Sequence, residues 1–253
     1  MFPSIDEKVM YIILTMRNTK VNNISAIEQL CDASKAEVLI VYLTHILEIN
    51  RQINLTSITN FKEACLLHLE DSLVALPEIN EAIDGKYCDI GCGGGFPGVP
   101  IGVASGRETW LVDSRAKKIK AVQECIKTSK VDEQTNFHCV ADRIEDFSAS
   151  HKSEFSVVTA RALSSLVSLL ELASPLLKIG GSFIALKSQI DDVEETEGLN
   201  VAPMCGFELD NKRNHVLSDG ETKRVIYTFK KVRKAKIKLP RRNGLAQKKP
   251  LLA

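Results

Sequence analysis

The stretch Cys88-Asp89-Ile90-Gly91-Cys92-Gly93-Gly94-Gly95-Phe96-Pro97-Gly98 decides the fold. It leaves a short apolar run, turns over several residues that lack a Cβ, and enters a helix at Pro97, whose fixed φ and missing N–H suit a first helical turn. A loop of this kind lets a ligand touch the backbone at the carboxyl edge of a parallel sheet.

Outward from the loop, short apolar runs alternate with helical stretches, the pattern of βαβ units. Strands are expected at 86–90, 109–113, 135–140, 155–159 and 182–187, with helices after Pro97, after Ser114, after Ser164 and near Asp191. Phe207 to Val216 and Lys223 to Lys231 bracket Asp219-Gly220, a turn suited to an antiparallel hairpin. Five parallel strands followed by a hairpin is an α/β, Rossmann-like class I methyltransferase sheet. Ahead of it, Leu39, Leu43, Ile46, Leu47 and Ile49 recur largely at helical spacing between Lys35 and Arg51, and Asn60 is placed to cap a second helix to about Leu76.

The chain has 253 residues, 44% of them hydrophobic, enough for one large domain and an extra module. The apolar run Val9 to Met16 is too brief to span a bilayer and follows Asp6 and Glu7 rather than a basic segment, so a cytoplasmic protein without membrane contact is expected. The seven cysteines are odd in number and form no Cys-x-x-Cys pair, which suggests neither a metal site nor a disulfide framework. Two glycosylation-like sequons, at Asn23 and Asn54, are set aside for want of a secretory signal. The net charge of +1 hides an asymmetry, because Lys230 to Lys249 holds ten Lys or Arg and no Asp or Glu. That tail, with Pro240 and Pro250, is expected to be irregular in isolation and is a candidate for binding a polyanion.

Two cofactors compete for the loop. Gly93, Gly95 and Gly98 satisfy the dinucleotide spacing Gly-x-Gly-x-x-Gly, a weak signal alone, whereas Asp89, Gly91, Gly93 and Gly95 give the acid-plus-glycines pattern of methyltransferases. An acid two residues before the first glycine suits a ligand with an ammonium and a sulfonium, which points to S-adenosyl-L-methionine. Asp113 ends the next strand, where a carboxylate can accept both ribose hydroxyls or simply cap the following helix. It fits either nucleoside, so an NAD-dependent oxidoreductase stays open on these residues. The chain divides into an N-terminal helical module, 1–82, an S-adenosylmethionine-binding methyltransferase domain, 83–232, and a basic tail, 233–253.

Asn54-Leu55-Thr56, His68-Leu69-Glu70-Asp71-Ser72-Leu73, Asp89 to Pro100, Asp113-Ser114, Lys117-Lys118, Arg143-Ile144-Glu145, Arg161-Ala162 and Leu186-Lys187 follow one another in a telling order. In them the chain resembles the RsmG (GidB) family of bacterial small-subunit ribosomal RNA methyltransferases, most specifically at Gly95 to Pro100 with its two prolines. The terminal Pro240-Arg241-Arg242 and Lys248-Lys249-Pro250-Leu251 are similar to tails in that family. The resemblance implies methylation of N7 of a guanine in the 530 loop of 16S rRNA, with the 30S ribosomal subunit as partner. It also implies that Gly91, Phe96, Ile144, Glu145 and Arg161 line the cofactor pocket, Glu145 near the adenine. Leu67 stands where the family usually has an Arg, and Ser188 where a Gly is common.

N7 of guanine carries a free lone pair at neutral pH, so its methylation needs no general base. The end of the fourth strand, Thr159-Ala160-Arg161, lacks the Asn/Asp-Pro-Pro-aromatic motif that holds an exocyclic amine, and no Cys follows the fourth or fifth strand to act as a nucleophile on a pyrimidine. No catalytic acid or base is assigned. Arg143, Arg161, Lys187 and His68 are candidates for positioning the substrate, and Arg161 suits either a carboxylate or a phosphate. With only 6% aromatic residues, the sequence does not name those that recognise the base. A non-catalytic RNA-binding protein on this fold is the remaining alternative.

Overall fold

A computed structural model describes residues 22–252, and the run Val9 to Met16 lies outside the described residues. Seven strands form one sheet: β1 Tyr87–Ile90, β2 Thr109–Asp113, β3 Phe137–Ala141, β4 Phe155–Arg161, β5 Leu177–Lys187, β6 Phe207–Val216 and β7 Lys223–Lys231. Their order is β3-β2-β1-β4-β5-β7-β6. The first five pair in parallel, and β7 enters antiparallel between β5 and β6. This is the Rossmann-like class I methyltransferase sheet expected from the sequence, with a helical part ahead of it. Chain order reverses between β1 and β4, so a crevice opens beyond their carboxyl ends.

The central strands read as apolar runs because both of their faces are covered. β1 is buried throughout, whereas β6, at the sheet edge, is mostly exposed and carries Glu208, Asp210, Lys212 and Arg213, charges that discourage pairing with another chain. Period-two alternation sends Leu111 to one face and Trp110 and Val112 to the other.

On the first face lie α1 Asn22–Leu30 and α2 Ala33–Ile53, the latter capped by Asp32, whose carboxylate accepts from Lys35 N at 2.9 Å. The α2 stripe Leu39, Tyr42, Leu43 and Ile46 shares one core with Phe96, Val99 and Leu111, and with α6 Gly98–Ser105 and α7 Ala116–Thr128. The other face is covered by α8 Ile144–Ser150, α9 Leu166–Ala173 and α10 Asp192–Val201 over a core that includes Phe147, Phe155, Phe183 and Phe229.

Asn60 caps the second helical stretch as expected, accepting from Glu63 N at 3.1 Å. The helix is not uniform to Leu76, however. It starts as α3 Phe61–Ala64, widens into a π-type segment at Cys65–Glu70 and ends with α4 Asp71–Leu73. Pro77 lacks the N–H needed to continue and instead opens α5 Leu76–Glu81.

The basic tail differs most from expectation. It has little regular structure beyond α11 Leu245–Lys248, yet it is docked. Arg241 clasps buried Glu171 with bonds of 2.7 and 2.6 Å, Ser168 Oγ donates to Ala246 O at 2.7 Å, and Ala246 is buried. Nor are all ten cations free. Lys231 is buried, with Nζ donating to Ser174 Oγ and Cys205 O, and burial lowers its pKa to about 8; Arg233 pairs with Glu208.

Arg107 ties α5 to the sheet, its guanidinium donating to the carbonyls of Ile79, Ala82, Ile83 and Gly85. Arg107→Ala leaves these acceptors without their donor and should lower stability by about 1–3 kcal/mol in urea unfolding. An unchanged midpoint would show that α5 is held by its apolar contacts alone.

Candidate functional site

The glycine loop is fixed from below by Asp89, which is fully buried. Asp89 Oδ2 accepts from Gly98 N at 2.9 Å, and Oδ1 accepts from Thr159 Oγ1 at 2.9 Å. Thr159 Oγ1 bonds in turn to Tyr87 Oη at 2.7 Å. The sequence reading aimed Asp89 at the ammonium of the cofactor; the structure places it beneath the loop, with both oxygens committed to the protein. Burial pushes its carboxyl up to about 7, against the bonds from Thr159 and Gly98 and the nearby Arg161.

A cleft of about 90 Å³ opens over the ends of β1 to β4, with Gly91, Asp113, Arg143, Ile144, Glu145 and Leu163 in its lining. It gathers four of the expected cofactor residues: Gly91, Asp113, Ile144 and Glu145. Half-buried Asp113 spans the loop, accepting from Gly93 N at 3.0 Å and from Arg115 N at 2.8 Å, and each of its oxygens keeps a second lone pair. Glu145 Oε1 accepts from Gly244 N of the tail at 2.6 Å.

The remaining loop residues divide by role. Gly93 has φ +56°, and a Cβ there would meet nothing nearer than Gly91 O at 4.0 Å, so the loop leaves a cradle above it. Gly95, at φ +87°, instead makes room for the Tyr42 hydroxyl, which donates to Gly94 O at 2.9 Å. Phe96 is not in the cleft lining. It packs edge-on against Tyr42 and stacks on His68 at 4.5 Å and 7°.

A second cavity, of about 320 Å³, lies beside the first and brings together His68, Arg161 and Lys187 with Thr56, Asp71 and Arg224. Arg143 is separated from the other three positioning candidates and belongs to the first cleft. Arg161, expected at the cofactor, lines the second cavity, where Nη1 donates to Asp71 Oδ2 at 2.9 Å and to Leu67 O at 3.1 Å. Arg224 Nε donates to Asp71 Oδ1 at 2.6 Å, so one buried carboxylate holds two guanidinium groups. Lys187 is drawn aside by Glu194 at 2.7 Å and Ser164 O at 2.9 Å. Leu67 and Ser188, the departures from the family pattern, both line this cavity.

His68 is buried in the π-type segment, its Nε2 2.9 Å from Thr56 Oγ1. Thr56 is held by Asn50, whose Oδ1 accepts from Leu55 N and Thr56 N at 2.6 and 2.9 Å. Burial, and then Arg161, pushes the imidazole down to about 3, so it is neutral at physiological pH, and Nδ1 is buried without a hydrogen-bond partner among the described residues. Among the described residues no group of His, Cys, Asp or Glu is placed to hold a metal ion, and no helix is long and apolar enough to cross a membrane. All seven cysteines are free, six of them buried.

Leu163, Arg224 and Gln247 have no part in the sequence reading, and Thr56 and Asp71 appear there only within quoted stretches, without a site role. Asp71 follows His68 by three residues, a spacing that signals a shared helical face. Arg224 carries no local signal, because it is the register of β7 on β5, Val225 opposite Lys187, that brings it to the cavity. Leu163 follows Ala162, whose φ of +52° turns the chain so that Arg161 and Ala162 line the second cavity and Leu163 the first.

A family model described as GidB, rRNA small subunit methyltransferase G, matches residues 35–238. The ribosomal RNA small subunit methyltransferase G of Macrococcus caseolyticus is 35% identical over 226 residues, 88% of this chain and 93% of that one. Its counterpart in Desulfitobacterium hafniense is 36% identical over 216 residues, 84% and 87% of the two chains. Among solved structures, the CcbJ methyltransferase of Streptomyces caelestis shares the fold, with a TM-score of 0.50 at 14% identity over 64% of this chain and 94% of that one.

The raised pKa of Asp89 makes a signed prediction. Folded protein holds this proton more tightly than unfolded chain, so the contribution is full below about pH 4 and is lost as pH rises through about 7. Across that window the wild type should lose up to about 1.4 kcal/mol per pH unit relative to Asp89→Asn. Parallel stability profiles from urea unfolding of the two proteins would refute it.

Proposed function

The chain belongs to the rRNA small subunit methyltransferase G family, and from that membership we propose that it methylates N7 of a guanine in the 530 loop of 16S rRNA, acting in the cytoplasm on the 30S subunit. It is an S-adenosylmethionine-dependent methyltransferase. One observation carries the assignment of the site. The end of β4 lines both cavities, Leu163 the first and Arg161 with Ala162 the second, while Gly91 of the glycine loop lines the first and Phe96 of the same loop stacks on His68 in the lining of the second. Two ligands placed in them meet across a single turn of chain.

The first cleft is the donor site, with Gly91, Gly93, Asp113, Ile144 and Glu145 as its binding residues. The cradle above Gly93 and the half-buried carboxylate of Asp113 fit a nucleoside. S-adenosylmethionine, when bound, supplies an electrophilic methyl group. The second cavity is the acceptor site. Arg161 and Arg224, anchored on Asp71, offer donors suited to a phosphate or to O6 of guanine, leaving N7 free to react. Neutral His68 takes no proton from N7, which has none to give. The chain thus contributes position, an effect able to supply about 7–11 kcal/mol when reacting atoms are held in near-attack geometry.

In this reading the module 1–82 contributes Thr56, His68 and Asp71 to the acceptor side, the domain 83–232 contributes Arg161, Lys187 and Arg224 to that side as well as the donor cleft, and the tail 233–253 meets rRNA phosphates. Lys234, Lys236, Lys238, Arg242, Lys248 and Lys249 are exposed there. Each phosphate contact would steepen the fall of log affinity with log salt by about 0.7 for single-stranded RNA.

Unmethylated 30S subunits incubated with labelled donor should acquire label at N7 of the 530-loop guanine; label elsewhere, or none, would overturn the proposal. Gly93→Val should remove donor binding while the fold persists, since its side chain enters the cradle at a strain of about 1–3 kcal/mol. In thermal shift, S-adenosylhomocysteine at a hundred times its dissociation constant stabilises the wild type by about 2.7 kcal/mol and leaves the variant unmoved. A response to NADH instead would favour an oxidoreductase.

A further inference from the structure

We propose that the docked tail is a wall of the donor site: Gln247 is a donor-binding residue, and the main chain at Gly244 sets the carboxylate of Glu145. The inference rests on the first cleft being the donor site, and it changes what the basic tail is for. Gln247 lines that cleft beside Arg143 and Glu145. Gly244 N donates to Glu145 Oε1 at 2.6 Å, so a residue of the cleft is aimed by the tail. Gly244 sits at φ +78°, a conformation that suits glycine, and a Cβ there would lie in ordinary contact with the Arg143 guanidinium at 3.6 Å, so the tail passes close over both cleft residues.

The anchors are independent of any RNA. Glu171, whose side chain is 3% exposed, takes two bonds from Arg241, and Ser168 holds the carbonyl of Ala246, the residue before Gln247. Asn243 adds a bond of 2.6 Å to Asp146. Leu172, on the same helix as Ser168 and Glu171, lines the cleft as well, so α9 and the tail meet at the donor site. A carboxylate as buried as Glu171 is costly to leave without its cation, which keeps the tail down. An arm that only gathered phosphates would have no use for an inward Arg241 or for Gln247 at the cleft. The outward cations Arg242, Lys248 and Lys249 stay free for that task.

The test is calorimetric titration of the full-length enzyme with S-adenosylhomocysteine, alongside limited trypsin digestion. Gln247→Ala, at an exposed position, should keep the urea midpoint and raise the dissociation constant about fivefold to tenfold, the size of one well-placed hydrogen bond. Glu171→Gln should speed cleavage after Arg241 and Arg242 and weaken binding to a similar degree. In the wild type, S-adenosylhomocysteine should slow cleavage at those sites and at Lys248. Wild-type affinity in Gln247→Ala, without ligand protection of the tail, overturns the inference; if Gly93→Val has meanwhile lost binding, the donor cleft stands and only its wall falls. Retained binding in Gly93→Val as well would mean that the cleft itself was misassigned.

Discussion

The carboxylate of Asp89 has no water to turn to, and the way its two oxygens are satisfied determines where the rest of the site goes. One oxygen stops α6 at its first turn through Gly98 N, the other locks β1 to β4 through Thr159. The loop between them is then a closed span whose ends cannot separate. Tyr42 holds the same span from above through Gly94 O, and its ring supports Phe96. Held in this way, the loop keeps the space above Gly93 clear of side chains. Such preorganisation matters for a reaction in which protein groups supply geometry rather than protons.

The second cavity depends on charges that compensate one another. Asp71 is buried and would be expensive there alone, but Arg161 from β4 and Arg224 from β7 each take one of its oxygens. The trio therefore joins the helical part to strands distant in sequence, and it leaves further guanidinium N–H groups for a ligand. Thr56 and His68 are set by a different device, the Asn50 side chain that gathers Leu55 and Thr56 onto the end of α2. Each wall of the cavity thus rests on a buried polar group with its partners supplied by the fold.

How much of this the sequence reveals depends on whether a feature is local. The strands, the hairpin turn and the Asn60 cap follow from periodicity and turn chemistry, which neighbouring residues carry. The grouping of the site residues does not, because it follows sheet order. Arg143, Arg161 and Lys187 all lie at or just past strand ends, and chain position makes them look alike. In the sheet, β3 stands three places from β4, roughly 14 Å at the usual strand spacing, whereas β4 and β5 are adjacent. Arg143 therefore falls to the first cleft and the other two to the second cavity. The direction of Asp89 was closer to being readable: Cys88 and Ile90 face the second core, so alternation alone turns Asp89 toward α6. The tail was opaque for a different reason. Its contacts, Arg241 with Glu171 and Gly244 with Glu145, span 70 and 99 residues and leave no periodic trace.

The turn Arg161-Ala162-Leu163 shows how the sheet makes one site of two cavities. A regular continuation of β4 would alternate sides, placing 161 and 163 together. The left-handed φ of Ala162 breaks that alternation, so Arg161 stays with Asp71 while Leu163 crosses toward Gly91. A non-glycine residue held there stores about 1–3 kcal/mol of strain, which the fold retains because both neighbours are anchored. With Arg161 bound to Asp71 and Leu163 against the glycine loop, the turn has no slack to relax. The boundary between the cavities is therefore tied to the buried ion pair beside it, and Thr159, two residues before Arg161, ties it in turn to Asp89 beneath the glycine loop.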